Sequence, residues 1–293
     1  MRRKQDTITA WLFLAPAIII FLTLIVYPIG MSGYASLTKW KYTSGLKGMK
    51  WYGLTNYQNI FENLSFKSAI GNTFLYVFVT VPISIILSLI FAYLLNNKVY
   101  MAKTLRLFYF IPYIANSVAI ATLFQSWFRT DGMINNLLSL FTKNPVELKW
   151  MTDKALSRIP IMVMLVWTSL GYLIIIYMGA LQNVPTDLYE AAEIDGASKT
   201  KQFLHITFPM VSQTTFYLLI VRMIAVFKTF VSVNVMTMKS PMKWNTSIMM
   251  EVYSTAFGSM QFGKACAEAW ILVAIVLFFT AIQFIGQKKW VHY

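Results

Sequence analysis

Charge is what this chain has least of. Only 12% of its 293 residues are Asp, Glu, Lys or Arg, against roughly 25% in an ordinary soluble domain. Acids are the scarcer sign, 11 against 25 Lys and Arg, which leaves a formal net charge of +14. Such a balance raises nucleic acid as a partner, but that role needs basic residues gathered on a solvated domain. Here they sit in short segments between apolar runs, so no nucleic acid is expected. Cysteine is almost missing. Cys266 stands alone, which excludes an intrachain disulfide and a cysteine metal site, and it reads as a small buried residue in a helix. Histidine is limited to His205 and His292, with no His-Glu-x-x-His, so a histidine-based protease or metal centre is not expected. Gly258 to Lys264 has the spacing of a phosphate-binding loop, but Ala265 follows where a hydroxyl would hold Mg²⁺, and no strand precedes it. The chain is therefore expected to hold no catalytic residue, no metal and no cofactor of its own.

What is abundant is apolar length. Hydrophobic residues make up 57% of the chain, and a membrane-spanning helix needs about 20 of them in a row. No charge occurs from Asp6 to Lys39, Lys67 to Lys98, Arg106 to Arg129, Arg158 to Asp187, or Glu268 to Lys288. A further apolar segment, Thr214 to Val235, is interrupted by Arg222 and Lys228. The pattern predicts an all-α, polytopic transmembrane bundle of six spans at about 10–30, 70–95, 107–128, 159–182, 212–235 and 267–286. Pro16, Pro28, Pro82 and Pro112 fall in or near spans, where membrane helices tolerate kinks. The first apolar run exceeds a signal-peptide core of roughly 7–15 residues and is expected to stay as an anchor.

An even number of spans puts both ends on one side. Arg2, Arg3 and Lys4 precede the first span and Lys288 and Lys289 follow the last, so both termini are expected in the cytoplasm. The segments from Asn96 to Arg106 and from Asn183 to Pro209 are then cytoplasmic too, although Lys39, Lys41, Lys47, Lys50 and Lys143 put basic residues on the other side as well.

One segment, 183–209, is unlike the rest. Thr186 reads as a helix N-cap after Pro185, and Leu188, Ala191 and Ala192 fall on one face at spacings of three and four. Asp195-Gly196 is a turn signal, with Gly taking the left-handed conformation that ends a helix. A second short helix is expected from Ser198 to about His205, before Pro209 opens the next span. The plain alternative is an amphipathic connector between two spans.

The wording of this segment resembles the Glu-Ala-Ala loop of permeases of binding-protein-dependent ABC importers. Glu190, Ala191, Ala192, Asp195, Gly196, Phe203, Ile206 and Pro209 stand at the spacing of that signature, with Phe208 replacing a more usual Leu. Trp11-Leu-Phe-Leu-Ala-Pro16, Tyr27-Pro28, Gly53-Leu-Thr-Asn-Tyr57, Asn72-Thr73 and the stretch from Arg106 to Pro112 are similar to the maltose-type carbohydrate subgroup. One departure is visible: Thr237-Met-Lys-Ser-Pro241 stands where the subgroup often has Thr-Gly-Gly-Gly-Pro.

The resemblance implies an ABC type I importer permease fold in the bacterial cytoplasmic membrane. It also implies a second permease subunit, two ATPase subunits that bind the ATP and Mg²⁺, and an extracytoplasmic solute-binding protein. Glu190, Ala191, Ala192, Asp195, Gly196, Phe203 and Pro209 would then couple to the ATPase. The expected solute is a sugar or oligosaccharide; a polyol or an anion such as a sugar acid or glycerol phosphate is the alternative.

Sugars need hydrogen bonds and flat apolar faces, so Asn116, Gln125, Trp167, Tyr172 and Asn234 are candidates for the solute path. Arg222 and Lys228 join them because ionisable residues within a span are expensive. Six residues apart, these two point about 120° apart round a helix, which equally suits structural pairing or a snorkelling Lys228. A secondary transporter is a weaker alternative, since neither repeat symmetry nor intramembrane acids are evident.

Overall fold

The computed structural model describes residues 2–96, 111, 113–142, 144–238 and 242–289. The stretch from Arg106 to Pro112, apart from Ile111, lies outside the described residues, as do Lys143, His292 and residues 239–241. The chain opens with α1 (Arg2–Phe21), which passes through a π-helical turn into α2 (Tyr27–Ser36). Strands β1 (Thr38–Lys39) and β2 (Lys50–Trp51) pair antiparallel, Thr38 opposite Trp51, and lead to α3 (Thr55–Glu62) and the long α4 (Leu64–Asn96). After the undescribed stretch come α5 (Ser117–Trp127), α6 (Met133–Ser139) and α7 (Arg158–Gln182). Next are α8 (Thr186–Ile194), α9 (Lys199–Gln202), a second π turn (Phe203–Thr207) and α10 (Phe208–Met210). The remaining helices are α11 (Ser212–Phe227), α12 (Val231–Met236), α13 (Ile248–Tyr253) and α14 (Phe262–Gly286).

Among the described residues, four helical stretches are long and apolar enough to cross a membrane: Ala10–Ser36, Leu64–Asn96, Arg158–Gln182 and Phe262–Gly286. A fifth is the pair Lys199–Met210 and Ser212–Phe227, bent by 66°. Residues 107–110 and 112 of the expected third span are not described, and α5 forms its second half, which is compatible with six.

The chain divides into two compact units, residues 1–64 with 252–273, and residues 65–251 with 274–293. In the first, Asn56 Nδ2 donates to the carbonyls of Ser36 (2.8 Å) and Thr38 (2.9 Å), fixing α3 under the hairpin. Gly263 packs so closely there that a Cβ would lie 2.1 Å from the Thr38 carbonyl. Cys266, expected to be buried, is only half-buried in α14, although its neighbours Ala265 and Ala267 are buried.

In the second unit α4 is the central strut. Its ring Phe74 packs edge-on against Phe227 of α11 and Phe279 of α14. One face also carries polar side chains that reach the irregular segment 242–248. Asn72 Nδ2 donates to the carbonyls of Lys243 (2.9 Å) and Thr246 (3.0 Å), and Tyr76 Oη to that of Asn245 (2.8 Å). The Ile248 amide donates to Thr73 Oγ1 (2.9 Å). Where α11 breaks before α12, the Ser247 hydroxyl donates to the Thr229 carbonyl (2.8 Å). The segment expected as one span over 212–235 is therefore two helices. It ends at Met238 with φ of +53°, a left-handed conformation in a non-glycine residue, which costs roughly 1–2 kcal/mol.

Asn72→Leu leaves the buried Thr246 carbonyl without this donor, at about 1–3 kcal/mol, and also removes the bond to the carbonyl of the exposed Lys243. The thermal unfolding midpoint of the detergent-purified protein should fall clearly, whereas Thr122→Val, at an exposed site, should leave it unchanged.

Candidate coupling loop and solute cavity

The loop between α7 and α11 is built from local rules. Helix α7 ends at Asn183, whose side chain returns to the Gly179 carbonyl (3.0 Å). Pro185 then takes an extended conformation and itself occupies the N-cap of α8. Thr186, expected to be the cap, is the first helical residue instead. With its backbone already inside the helix, its hydroxyl cannot fold back onto the free amides as a cap would. Asp187 in the first turn complements the helix dipole.

The far end of α8 matches the expectation from Asp195-Gly196. Gly196 has φ of +71°, its amide donates to the Glu193 carbonyl (3.0 Å), and the Ala197 amide donates to that of Ala192 (2.9 Å). This is a Schellman closure. Ser198 then caps α9, its hydroxyl accepting from the Lys201 amide (3.4 Å). Lys199 bridges back to Glu193, which raises the lysine's pKa and lowers the carboxylate's through hydrogen bond and charge. Because the Glu193 pKa is depressed on folding, the pair helps above the ordinary carboxylate range and is lost as acid protonates Glu193. Both groups are largely in solvent, so its contribution is small.

No residue of α8 is buried. Glu190, Ala191 and Asp195 are exposed, and the apolar Leu188 and Ile194 are 41% and 87% exposed. Ala192 is half-buried with Tyr189, three residues before it, whose hydroxyl shares a hydrogen bond with the buried Thr207 (2.9 Å). Gln202, also buried, donates to the Ala197 carbonyl (3.4 Å). Phe203 packs its ring against Tyr93 of α4 (4.9 Å), and Pro209 lies in α10 just before the 66° bend at Val211. Helix α11 thus starts at Ser212, after the bend. Tyr189, Gln202 and Thr207 went unnoticed in the sequence; the one available signal was the spacing of three between Tyr189 and Ala192.

A cavity of about 390 Å³ opens among α5, α7, α11 and α12, within the roughly 300–1,000 Å³ of small-molecule sites. Of the seven residues singled out for the solute path, Tyr172 and Arg222 line it. Tyr172 stacks on Tyr113 (5.2 Å) and meets the Tyr217 hydroxyl (3.4 Å). Arg222 donates from Nη2 to the Leu165 carbonyl, while its Nε is buried without a partner. Asn116 caps α5, accepting from the Val118 amide (2.8 Å), between the lining residues Ala115 and Ser117. Gln125 donates to the Val235 carbonyl (3.0 Å) and Trp167 packs on Phe124 (5.3 Å). Asn234 is half-buried in α12, and Lys228 is exposed at the end of α11. Thr168, Ser169 and Ser232 also line the cavity; small hydroxyls inside apolar runs, with Thr168 four residues before Tyr172, were the missed signal.

Residues 65–290 match the model of the binding-protein-dependent transport system inner membrane component. The chain belongs to that family. This permease is 30% identical to the probable ABC transporter permease protein YesP of Bacillus subtilis (strain 168), over 99% of its own length and 94% of the relative's. It is also 30% identical to the lactose transport system permease protein LacF of Rhizobium radiobacter, over 99% and 97%. Its fold matches a chain of a bacterial alginate ABC transporter, crystallised with an alginate pentasaccharide-bound periplasmic protein, at a TM-score of 0.83 and 20% identity, over 99% and 98% of the two chains. This permease is thus a multi-pass inner-membrane protein of an ABC importer, as the Glu-Ala-Ala resemblance implied.

Gly196→Val tests the loop closure. A Cβ there meets nothing within 4 Å, so any effect comes from forcing a branched residue into the left-handed region, about 1–2 kcal/mol. Amide hydrogen exchange over 192–197 should quicken by about tenfold while that of α4 stays unchanged.

Proposed function

We propose that this permease forms half of the translocation path of an ATP-driven importer for a sugar or oligosaccharide. The observation that carries the proposal is α8, a nine-residue helix with no buried residue, closed rigidly at its C-terminal end and offering apolar side chains among acids. Contiguous exposed apolar surface of this kind marks a docking site. Its occupant is the ATPase partner, with small Ala191 permitting close approach. Phe203 and Pro209 act one step behind, tying the loop to α4 and to the bend.

The remaining parts follow from the same reading. Two ATPase subunits hold ATP and Mg²⁺, a second permease completes the path, and an extracytoplasmic binding protein delivers the solute. Both termini and the loop lie in the cytoplasm. Support for a saccharide comes from the lactose-transport relative and from the stacked tyrosines and hydroxyls of the cavity, since sugars present CH faces and hydroxyl groups.

Ala191→Arg places a long cation on the docking face, where close packing is lost. Purified with its partners from native membranes, the variant should insert normally yet retain about a tenth or less of the ATPase, the loss expected when a central interface residue is obstructed. Wild-type recovery of the ATPase would move docking elsewhere. A homo-oligomer that transports without ATP would overturn the importer itself.

A further inference from the structure

Arg222 is a cation in the wall of a cavity between apolar helices, and no salt bridge pairs it among the described residues. No acidic side chain lines that cavity among the described residues. Among the described residues its one hydrogen bond runs to the Leu165 carbonyl, in the interior of α7. A guanidinium has five N–H donors, and here Nε is buried without a partner among the described residues. A carbonyl satisfies a donor but carries no net charge, so the cost of holding an isolated cation away from water persists. A neutral solute would leave that cost in place. An anionic one would remove it.

A second observation points the same way. A further cavity, of about 520 Å³, lies at the N-terminal end of α7, the end away from the 183–209 loop. Lys154, Arg158 and Lys243 line it, again with no acidic side chain in its wall among the described residues. Arg158 spends its Nε on the Trp244 carbonyl (2.6 Å), and no ion pair involves any of the three among the described residues. Asp153, the nearest acid in sequence, is committed to its own turn, accepting from the amides of Ala155 (2.7 Å) and Leu156 (3.1 Å). Seven residues of helix, about 10 Å of rise, separate Arg158 from Leu165. Cations therefore mark both the end of α7 and the cavity further along it. Such an arrangement concentrates anions at a mouth and offers them a fixed partner inside.

We infer that the imported solute is an anionic saccharide and that Arg222 binds its charged group as it passes, with Lys154, Arg158 and Lys243 drawing it in. This deepens the importer reading and rests on it. The residue type fits, because a planar guanidinium takes a carboxylate or phosphate by two parallel hydrogen bonds, which an ammonium cannot do. Tyr113 and Tyr172 supply the stacking wall beside that charge.

The test uses the whole importer, with its own ATPases and binding protein, reconstituted in liposomes. Three probe pools are offered: short neutral oligosaccharides, short uronate oligosaccharides and hexose phosphates. ATP-dependent uptake of an anionic pool is expected, and which pool enters separates carboxylate from phosphate. Arg222→Gln should lower that uptake by about tenfold or more, as loss of a charge-assisted pair implies, while Arg222→Lys keeps part of it. Co-recovery of the partner subunits checks that each variant assembles. ATP-dependent uptake of the neutral pool alone would overturn the inference while leaving the importer standing. So would anion uptake unaffected by Arg222→Gln, or equal losses in the Gln and Lys variants, the mark of a merely structural arginine. Uptake that needs no ATP would instead overturn the importer reading.

Discussion

A backbone amide or carbonyl in hydrocarbon has no water to turn to, and the rest of this fold depends on that constraint. Unbroken helices meet it at no extra cost. This chain breaks its helices at Val211, between Phe227 and Val231, and again before α13, over 242–247. Each break frees polar groups, and side chains from distant sequence take them up. Asn72, Thr73 and Tyr76 of α4 serve the last break, and Ser247, held in that same segment, serves the Thr229 carbonyl. Side chains on α4 thus support the irregular backbone that follows α12.

Those breaks also connect the two functional regions. The loop runs through α9, the π turn and α10, turns 66° at Val211, and continues as the helix that bears Arg222. Few joints along that route are loose. The Schellman closure at Gly196, the buried Gln202 and Thr207, and the Phe203–Tyr93 contact hold the loop. On the proposed reading, a displacement of α8 would reach α11 through these packed side chains and across the bend at Val211.

Much of this was legible in the sequence for physical reasons. Spacing between charges located the long helices because a charge at membrane depth is costly. Asp195-Gly196 announced the helix end because only glycine enters the left-handed region freely. Thr186 misled, since proline before it could fill the N-cap as well as threonine could. The two-piece fifth span was hidden because Lys228 and Thr229 look no different in a helix or at its end; only the distant Ser247 decides. Likewise, the cavity needs side chains from four helices, and no local pattern brings Tyr113, Thr168, Arg222 and Ser232 together. Met238 shows the converse. The missing glycines of the segment 237–241 were visible in the sequence, and Met238 takes a left-handed backbone conformation all the same.

The central claim is that α8 is the face met by the ATPase on the cytoplasmic side. Thiol labelling of Ile194→Cys in a Cys266→Ser background measures this directly, since Ile194 is 87% exposed in the chain itself. A membrane-impermeant reagent should label it only in inside-out vesicles, and only after the ATPase has been stripped away. Labelling in right-side-out vesicles, or equal labelling with the ATPase bound, would contradict the account.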